Sequence, residues 1–409
     1  METPTLLLAL LEKWSKGFPK AGATPNNIPD IWTAALKAAA DSKLIPNIPV
    51  AYVDPNLPDG EGIPTYPKGH DPNSAEVCSA TAKCKIPGDI WDAPEGQLAL
   101  SFDDGPTDAT ADLLDFLKAN GQTTTHFMIG SNILSSPNAF SKAFDLNNDI
   151  AGKLSFVSQM AHGEHSVHTW SHPFMTTLSN EKVVAELGWT MQLIHDSTGG
   201  RVPRFWRPPF GDSDVRTRAI AKEVFGLTTV IWNKDTSDWG LTDKPPSSSL
   251  SKINASMTQW LTAKSKSPGL VILEHELTSQ SVQAFKSAYP VMKSNNWNVV
   301  SLAQLFGNGN AYLNAADNRG AVPLVTNIAN AKNGNPSISQ PLSLSSTSGR
   351  ASTSKGGNSI LPTSSTRPLP SSSAASRGNS NDAERLRAAF HIWLPVLFGG
   401  IAGLGLVLC

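Results

Sequence analysis

Apolar residues in the middle of the chain come in two rhythms. At 98–102, 124–129, 164–169, 228–232, 270–273 and 298–300 they form short runs, mostly of aliphatic, β-branched and aromatic side chains, that read as β-strands. At 109–119, 180–197 and 215–224 they recur every three or four residues with polar positions between, as on one face of an α-helix. Strands alternating with helices predict an α/β unit with a largely parallel sheet. Such units build their sites where strands end, so the polar residues that follow each run carry the candidate chemistry.

Outside 95–310 this rhythm fades. Residues 1–94, rich in Pro and Asn apart from a helix-like stretch at 31–40, form an irregular amino-terminal extension with no legible role. The apolar run at 5–11 lacks a basic flank before it and a cleavage site after it, so it reads as the first turns of an amphipathic helix. A secretory leader would have to lie outside this sequence. Residues 311–387 are read as a stalk: 337–380 holds 20 Ser or Thr in 44 residues and no acidic or aromatic side chain. Too little apolar surface is available there to offset chain entropy, which predicts disorder and suits O-glycosylation.

Residues 388–409 have no Asp, Glu, Lys or Arg and are long enough to cross a bilayer. Small residues at Ser373, Ala374 and Ala375, the spacer 376–387 and this apolar tail make the pattern of a glycosylphosphatidylinositol (GPI) attachment signal, with Ser373 as attachment point. A retained membrane helix is the alternative, though it would lack the usual basic residues after it. The first reading predicts a lipid-anchored protein on the extracellular side of the plasma membrane and cell wall.

The length of 409 residues leaves room for two ordinary domains, but one large α/β domain with tails fits as well. Lys and Arg total 33 against 34 Asp and Glu, so no global field exists to hold nucleic acid; a neutral substrate and a monomer are expected. Of three cysteines, Cys78 and Cys84 stand close together without the paired Cys-x-x-Cys of a zinc knuckle. They make either a small disulfide loop or two reduced thiols.

Five short motifs carry the candidate chemistry. Ser101-Phe102-Asp103-Asp104-Gly105-Pro106 sends two adjacent carboxylates off a strand end into a turn, where both can enter one pocket, although Asp-Asp-Gly-Pro is also ordinary turn chemistry. In the run from His165 to Pro173, His168 and His172 are four apart, a spacing that aligns two imidazoles on one side of a helical turn. With an upstream carboxylate they resemble a two-His, one-Asp metal set with coordination positions left open. His126, His162, His165 and His195 lack that context and read as structural. Arg207-Pro208-Pro209-Phe210-Gly211-Asp212, Asp235-Thr236-Ser237-Asp238-Trp239 and Leu273-Glu274-His275 complete the series, each unremarkable alone.

In this order the five motifs, spread over about 200 residues, resemble the polysaccharide deacetylase family, defined by the NodB homology domain and also classed as carbohydrate esterase family 4. The segment around Trp170 and Arg207 is most similar to fungal chitin deacetylases. The resemblance implies a distorted (β/α) barrel with fewer than eight strands, and a divalent metal, Zn2+ with Co2+ as alternative, on Asp104, His168 and His172. It further implies Asp103 as catalytic base, His275 as catalytic acid, Arg207 orienting Asp103 and Asp238 tuning His275. Phe210 would supply a backbone N–H to the oxyanion, and Trp239 and Leu273 would shape the acetyl pocket. Two departures, His126 in the second strand and the His162-Gly163-Glu164-His165 run, touch no implied ligand.

The roles are chemically coherent. An amide is a poor electrophile, so hydrolysis needs a Lewis acid to polarise the carbonyl, a base for the attacking water and an acid for the departing amine. The expected activity is removal of acetyl groups from N-acetylglucosamine units of chitin, giving chitosan and acetate. The rivals are an O-acetyl esterase acting on xylan or another wall polysaccharide, and a non-catalytic wall-binding or adhesion protein. A serine hydrolase is disfavoured because no Gly-x-Ser-x-Gly elbow occurs.

Overall fold

The computed structural model describes residues 15–54, 56, 62–145, 163–315, 322–323 and 325–329. Residues 330–387 of the expected stalk, the apolar tail, Ser373, His162 and the run at 5–11 lie outside the described residues. The start of that stretch is no stalk: Ala311 and Tyr312 are buried with Phe205, and Ile328 and Ala329 are buried in the core beside α5, because apolar side chains continue past 310 before the Ser/Thr-rich composition begins. A helix, α1 (Asp30–Asp41), precedes the sheet. Then follow β1 (Gln97–Gly105), α2 (Thr110–Ala119), β2 (Thr124–Met128), α3 (Gly130–Ser135), α4 (Pro137–Asp145), β3 (Gly163–Val167) and α5 (Asn180–Ser197). The second half comprises β4 (Phe205–Trp206), α6 (Val215–Phe225), β5 (Thr228–Thr229), β6 (Lys234–Asp235), α7 (Leu250–Leu261), β7 (Leu270–Leu273), α8 (Ser279–Ser294), β8 (Asn298–Ser301) and α9 (Leu302–Phe306).

Every strand pairing in the sheet is parallel, in the order β5-β4-β3-β2-β1-β7-β6, with β8 also paired to β1. This is the expected α/β architecture, a parallel sheet curled into a half-barrel with helices around it. All described residues fall in one compact unit. The buried strand β1 shows how the sequence builds it. Leu98, Leu100 and Phe102 face outward onto α2, α7 and α8 through Leu113, Ile253 and Phe285. Ala99 faces the opposite way, onto Phe127, Phe205 and Val271 inside the curl. Side chains two apart on a strand share a face, so Ser101 and Asp103 follow Ala99 inward.

The chain departs from the expected elements where strands are short. The run at 228–232 stops as strand after Thr229, and β4 and β6, two residues each, were not legible as strands. A two-residue strand has no period to detect; neighbouring strands define it. The amino-terminal extension also acquires a place. Trp32, Leu36 and Ala39 of α1 are buried with Leu187, Val224 and Phe225 of α5 and α6, so this helix completes the core. Trp32 sits so close to Gly188 that a β-carbon there would collide with the indole. Cys78 and Cys84 are joined in a disulfide. Helix ends follow familiar chemistry, as where Asp214 and Thr217 form a reciprocal capping box at the start of α6.

Candidate active site

The carboxyl ends of β1, β3, β4 and β7 converge on one cluster. Asp103 and Asp104 come from β1, and a break in register between Asp103 and Gly105 marks Asp104 as a bulged residue. Its φ of 70° is left-handed, uncommon for a non-glycine residue. Without that bulge, strand alternation would send Asp104 to the face opposite Asp103. With it, both carboxylates face the site. The conformation costs about 1–2 kcal/mol and is held from outside: the Asn132 amide donates to the Asp104 carbonyl at 2.9 Å, and the Ile129 N–H donates to the Gly105 carbonyl at 3.0 Å.

His168 follows β3, and His172 stands four residues later, but the segment between them is an irregular loop. Thr169 and His172 have φ of 64° and 60°, so the helical turn inferred from the spacing does not form. The imidazoles still meet, with ring centroids 4.9 Å apart. The loop is pinned from behind by Glu186 of α5, a fully buried carboxylate. One oxygen accepts the N–H groups of Trp170 and Ser171, both at 2.8 Å, and the other accepts the Ser171 hydroxyl at 2.7 Å. Trp170, wholly buried, donates its indole N–H to the Lys20 carbonyl at 3.2 Å, so the extension supports this loop too.

Nε2 of His168 and Nε2 of His172 each lie 3.3 Å from Asp104 Oδ1. That oxygen is buried and makes no hydrogen bond among the described residues. His168 donates its Nδ1–H to the Arg207 carbonyl at 2.7 Å, which fixes the ring with Nε2 turned toward the carboxylate. Burial is the main influence on His172, pushing it down to about 4, so its imidazole is neutral near pH 7. Burial opposes the charge of Asp104, yet the surrounding imidazoles, His172 foremost, hold it well below the usual carboxylate range. The three ligand atoms lie within 4.8 Å of one another. Three converging electron-pair donors fit a divalent metal with open coordination positions.

The remaining groups flank that set. Arg207, completely buried after β4, donates one guanidinium N–H to Asp103 Oδ1 at 2.6 Å and another to the Ser101 hydroxyl at 3.0 Å. Its plane also lies over Phe127, 4.3 Å from the ring centre. Arg207 thus reads two inward positions of β1 at once and fixes the Asp103 carboxylate, whose second oxygen is 3.8 Å from His168 Nε2. On the neighbouring strand, His275 follows β7 and is the bridge partner of Asp103. Its Nδ1 pairs with Asp238 Oδ1 at 2.6 Å, and its backbone N–H donates to Asp238 Oδ2 at 2.9 Å. Burial disfavours the imidazolium, but the charge and hydrogen bond of Asp238, aided by Asp104 and Asp103, raise His275 to about 10. Its Nε2 lies 4.0 Å from Asp104 Oδ2.

Phe210 has φ of 58° and sets its ring against His172, centroids 4.6 Å apart, and against Phe174 at 4.3 Å. Trp239 is half-buried directly after Asp238, and Leu273 is buried two residues before His275. Several supporting groups escaped the sequence reading. Asp212 accepts the N–H and hydroxyl of Thr176 at 2.8 and 2.9 Å, tying the loop after His172 to the loop after Arg207. His126, read as structural, is buried and pairs with Glu276 at 2.7 Å. Glu276 in turn packs so tightly on Gly105 that only glycine fits beside Asp104. Ser101, two positions before Asp103, was the one supporting residue with a signal in the sequence, since period two puts it on the same face.

A curled parallel sheet with an Asp-His-His set at its carboxyl edge, an arginine-held carboxylate and a carboxylate-held imidazole defines a class of metal-dependent hydrolase sites. Residues 92–230 match the family described as polysaccharide deacetylase. Chitin deacetylase 3 of Cryptococcus neoformans is 43% identical over 294 residues, which cover 71% of this chain and 65% of that protein. Chitin deacetylase 1 of Saccharomyces cerevisiae is 35% identical over 240 residues, covering 58% of this chain and 70% of that one. The solved chitin deacetylase of Colletotrichum lindemuthianum aligns with a TM-score of 0.46 at 23% identity, covering 56% of this chain and 96% of that one. The chain belongs to the polysaccharide deacetylase family. It spans 65% of the length of the Cryptococcus chitin deacetylase 3 proteins it matches.

Proposed function

We propose that the protein is a chitin deacetylase, hydrolysing N-acetyl groups of N-acetylglucosamine units to give chitosan and acetate. The observation that carries this reading is the pairing of two differently supported groups across one metal set: Asp103 on Arg207 and His275 on Asp238. An amide needs both a base and an acid, and both border the same set, Asp103 3.8 Å from His168 and His275 4.0 Å from Asp104. The metal is proposed to be Zn2+, held by Asp104, His168 and His172. When bound, it supplies a Lewis acid that polarises the acetyl carbonyl and makes water acidic enough to attack near neutral pH.

The residues then divide the work. Asp103, fixed by Arg207 through a charge-assisted bond, accepts the proton of the attacking water. His275 is protonated at the start because Asp238 raises it, and its Nε2 delivers a proton to the amine nitrogen as the C–N bond breaks. Asp238 holds the ring by two bonds, so that proton is presented in a fixed direction. A backbone N–H at Phe210 is proposed to meet the developing oxyanion, with Trp239 and Leu273 against the acetyl methyl.

The uncharged run at 388–409, read as a lipid-attachment signal, and the Ser/Thr-rich composition of 337–380 support a cell-surface setting beside the producer's own wall. Incubating the purified chain with chitin oligomers, with and without a chelator, and measuring acetate tests the reading. Chelator-sensitive release from chitin oligomers is expected. Release from acetylated xylan alone would shift the activity to an O-acetyl esterase, and no release from either would leave a binding protein.

A further inference from the structure

We propose that a cleft on the opposite rim of the sheet is a second binding site for N-acetylated polymer. This inference rests on the deacetylase reading above. The cleft has a volume of about 360 Å3 and is lined in part by Lys234, Gln259, Trp260, Ser267, Leu270 and Trp297. Lys234 opens β6 and Leu270 opens β7, so the cleft lies at the amino-terminal ends of these strands. The catalytic groups lie past their carboxyl ends. At about 3.3 Å per residue, Leu270 and His275 are separated by roughly 17 Å along the strand direction. One sugar ring cannot occupy both places.

The lining fits a pyranose. Trp297 is a fixed wall, 4% exposed, with its indole N–H donated to the Leu261 carbonyl at 2.9 Å. Trp260 is half-buried on α7 and packs against the core on one side. Its indole N–H, the Gln259 amide and the Ser267 hydroxyl have no hydrogen-bond partner in the protein among the described residues. A sugar ring has apolar C–H faces and a rim of hydroxyl and amide groups. Indole surface bordered by unspent amide and hydroxyl groups complements both.

Charge adds a direction. The Lys234 ammonium lies 5.8 Å from the Trp260 ring centre and has no carboxylate partner among the described residues. An acetylated unit is neutral, whereas each deacetylated unit carries an ammonium group. The same cleft therefore favours unprocessed stretches and disfavours product by like-charge repulsion. A polymer held there raises the local concentration of acetylated units around the catalytic face without any change at the catalytic groups.

The test uses the full-length chain with insoluble chitin, a soluble chitin tetramer and a chitosan hexamer. Gln259→Ala and Trp260→Ala should each reduce retention on chitin severalfold while kcat/KM for the soluble tetramer stays as in the parent. Lys234→Glu should strengthen binding of the chitosan hexamer, an effect that simple loss of packing at Trp260 would not produce. Unchanged chitin retention in folded Trp260→Ala and Gln259→Ala, or unchanged chitosan affinity in Lys234→Glu, overturns the second site. If the parent releases no acetate from the tetramer, the catalytic reading fails separately, because retention on chitin is measured without turnover.

Discussion

Asp238→Asn gives the most informative perturbation of the catalytic groups. In the protein, burial works against the His275 cation, and Asp238 reverses that by its charge and by a 2.6 Å bond, bringing His275 from 6.5 to about 10. Each pKa unit corresponds to about 1.4 kcal/mol, so the raised value represents roughly 5 kcal/mol of preference for the imidazolium. Asp104 and Asp103 contribute to it, and a divalent cation on Asp104 offsets their share, which leaves Asp238 as the main support in the metal-loaded enzyme. The asparagine retains shape and one acceptor but no charge, and burial then dominates.

Two consequences follow in opposite pH directions from one group. Because the folded pKa lies above the unfolded value, the stabilisation is fully present below about 6.5 and is lost as pH rises through about 10. Asp238→Asn should therefore lower Tm at pH 6 by several degrees and have little effect at pH 10.5. In kcat/KM for a soluble chitin oligomer, followed by acetate release, the alkaline limb should move down by at least one pH unit. An alkaline limb at its original position in this variant would refute the assignment of His275 as the acid and transfer that limb to another group.

Three further outcomes test the rest of the site. Asp103→Asn should keep its metal while losing about 10²–10⁴ in rate, whereas His168→Ala and His172→Ala should lose metal and activity together by elemental analysis; a metal-free Asp103→Asn would exchange the roles of the two aspartates. Glu186→Gln should weaken metal affinity by about 10–100-fold, with much of kcat recovered at high metal concentration, since it disturbs only the loop carrying the histidines; metal affinity equal to the parent's would remove Glu186 from that role. A phosphatidylinositol-specific phospholipase applied to intact cells should release active protein lacking any peptide from 388–409, and recovery of that peptide from mature protein would eliminate the lipid anchor.

The sequence by itself determined the strand-helix alternation and the reactive residue types. Motif order and chemistry were legible because Asp103-Asp104 and His275 each sit just past an apolar run, while His168 and His172 are marked by their spacing of four. Strand periodicity also carried a signal for Ser101 beside Asp103, which the motifs alone did not single out. The geometry that makes these residues one site was decided elsewhere. The bulge that turns Asp104 inward is held by Asn132, and the left-handed loop at Thr169 and His172 by Glu186 of a later helix. Arg207 reaches Asp103 across 104 positions of chain. Backbone conformations that a residue disfavours on its own persist only when distant partners fix them. Such partners have no spacing rule along the chain, so Glu186, Asn132 and Asp212 carry no local signature. The same holds for β4 and β6, which are strands only because longer neighbours offer them hydrogen bonds, and for α1, whose Trp32 found its burial against Gly188 and Phe225 only in the folded state.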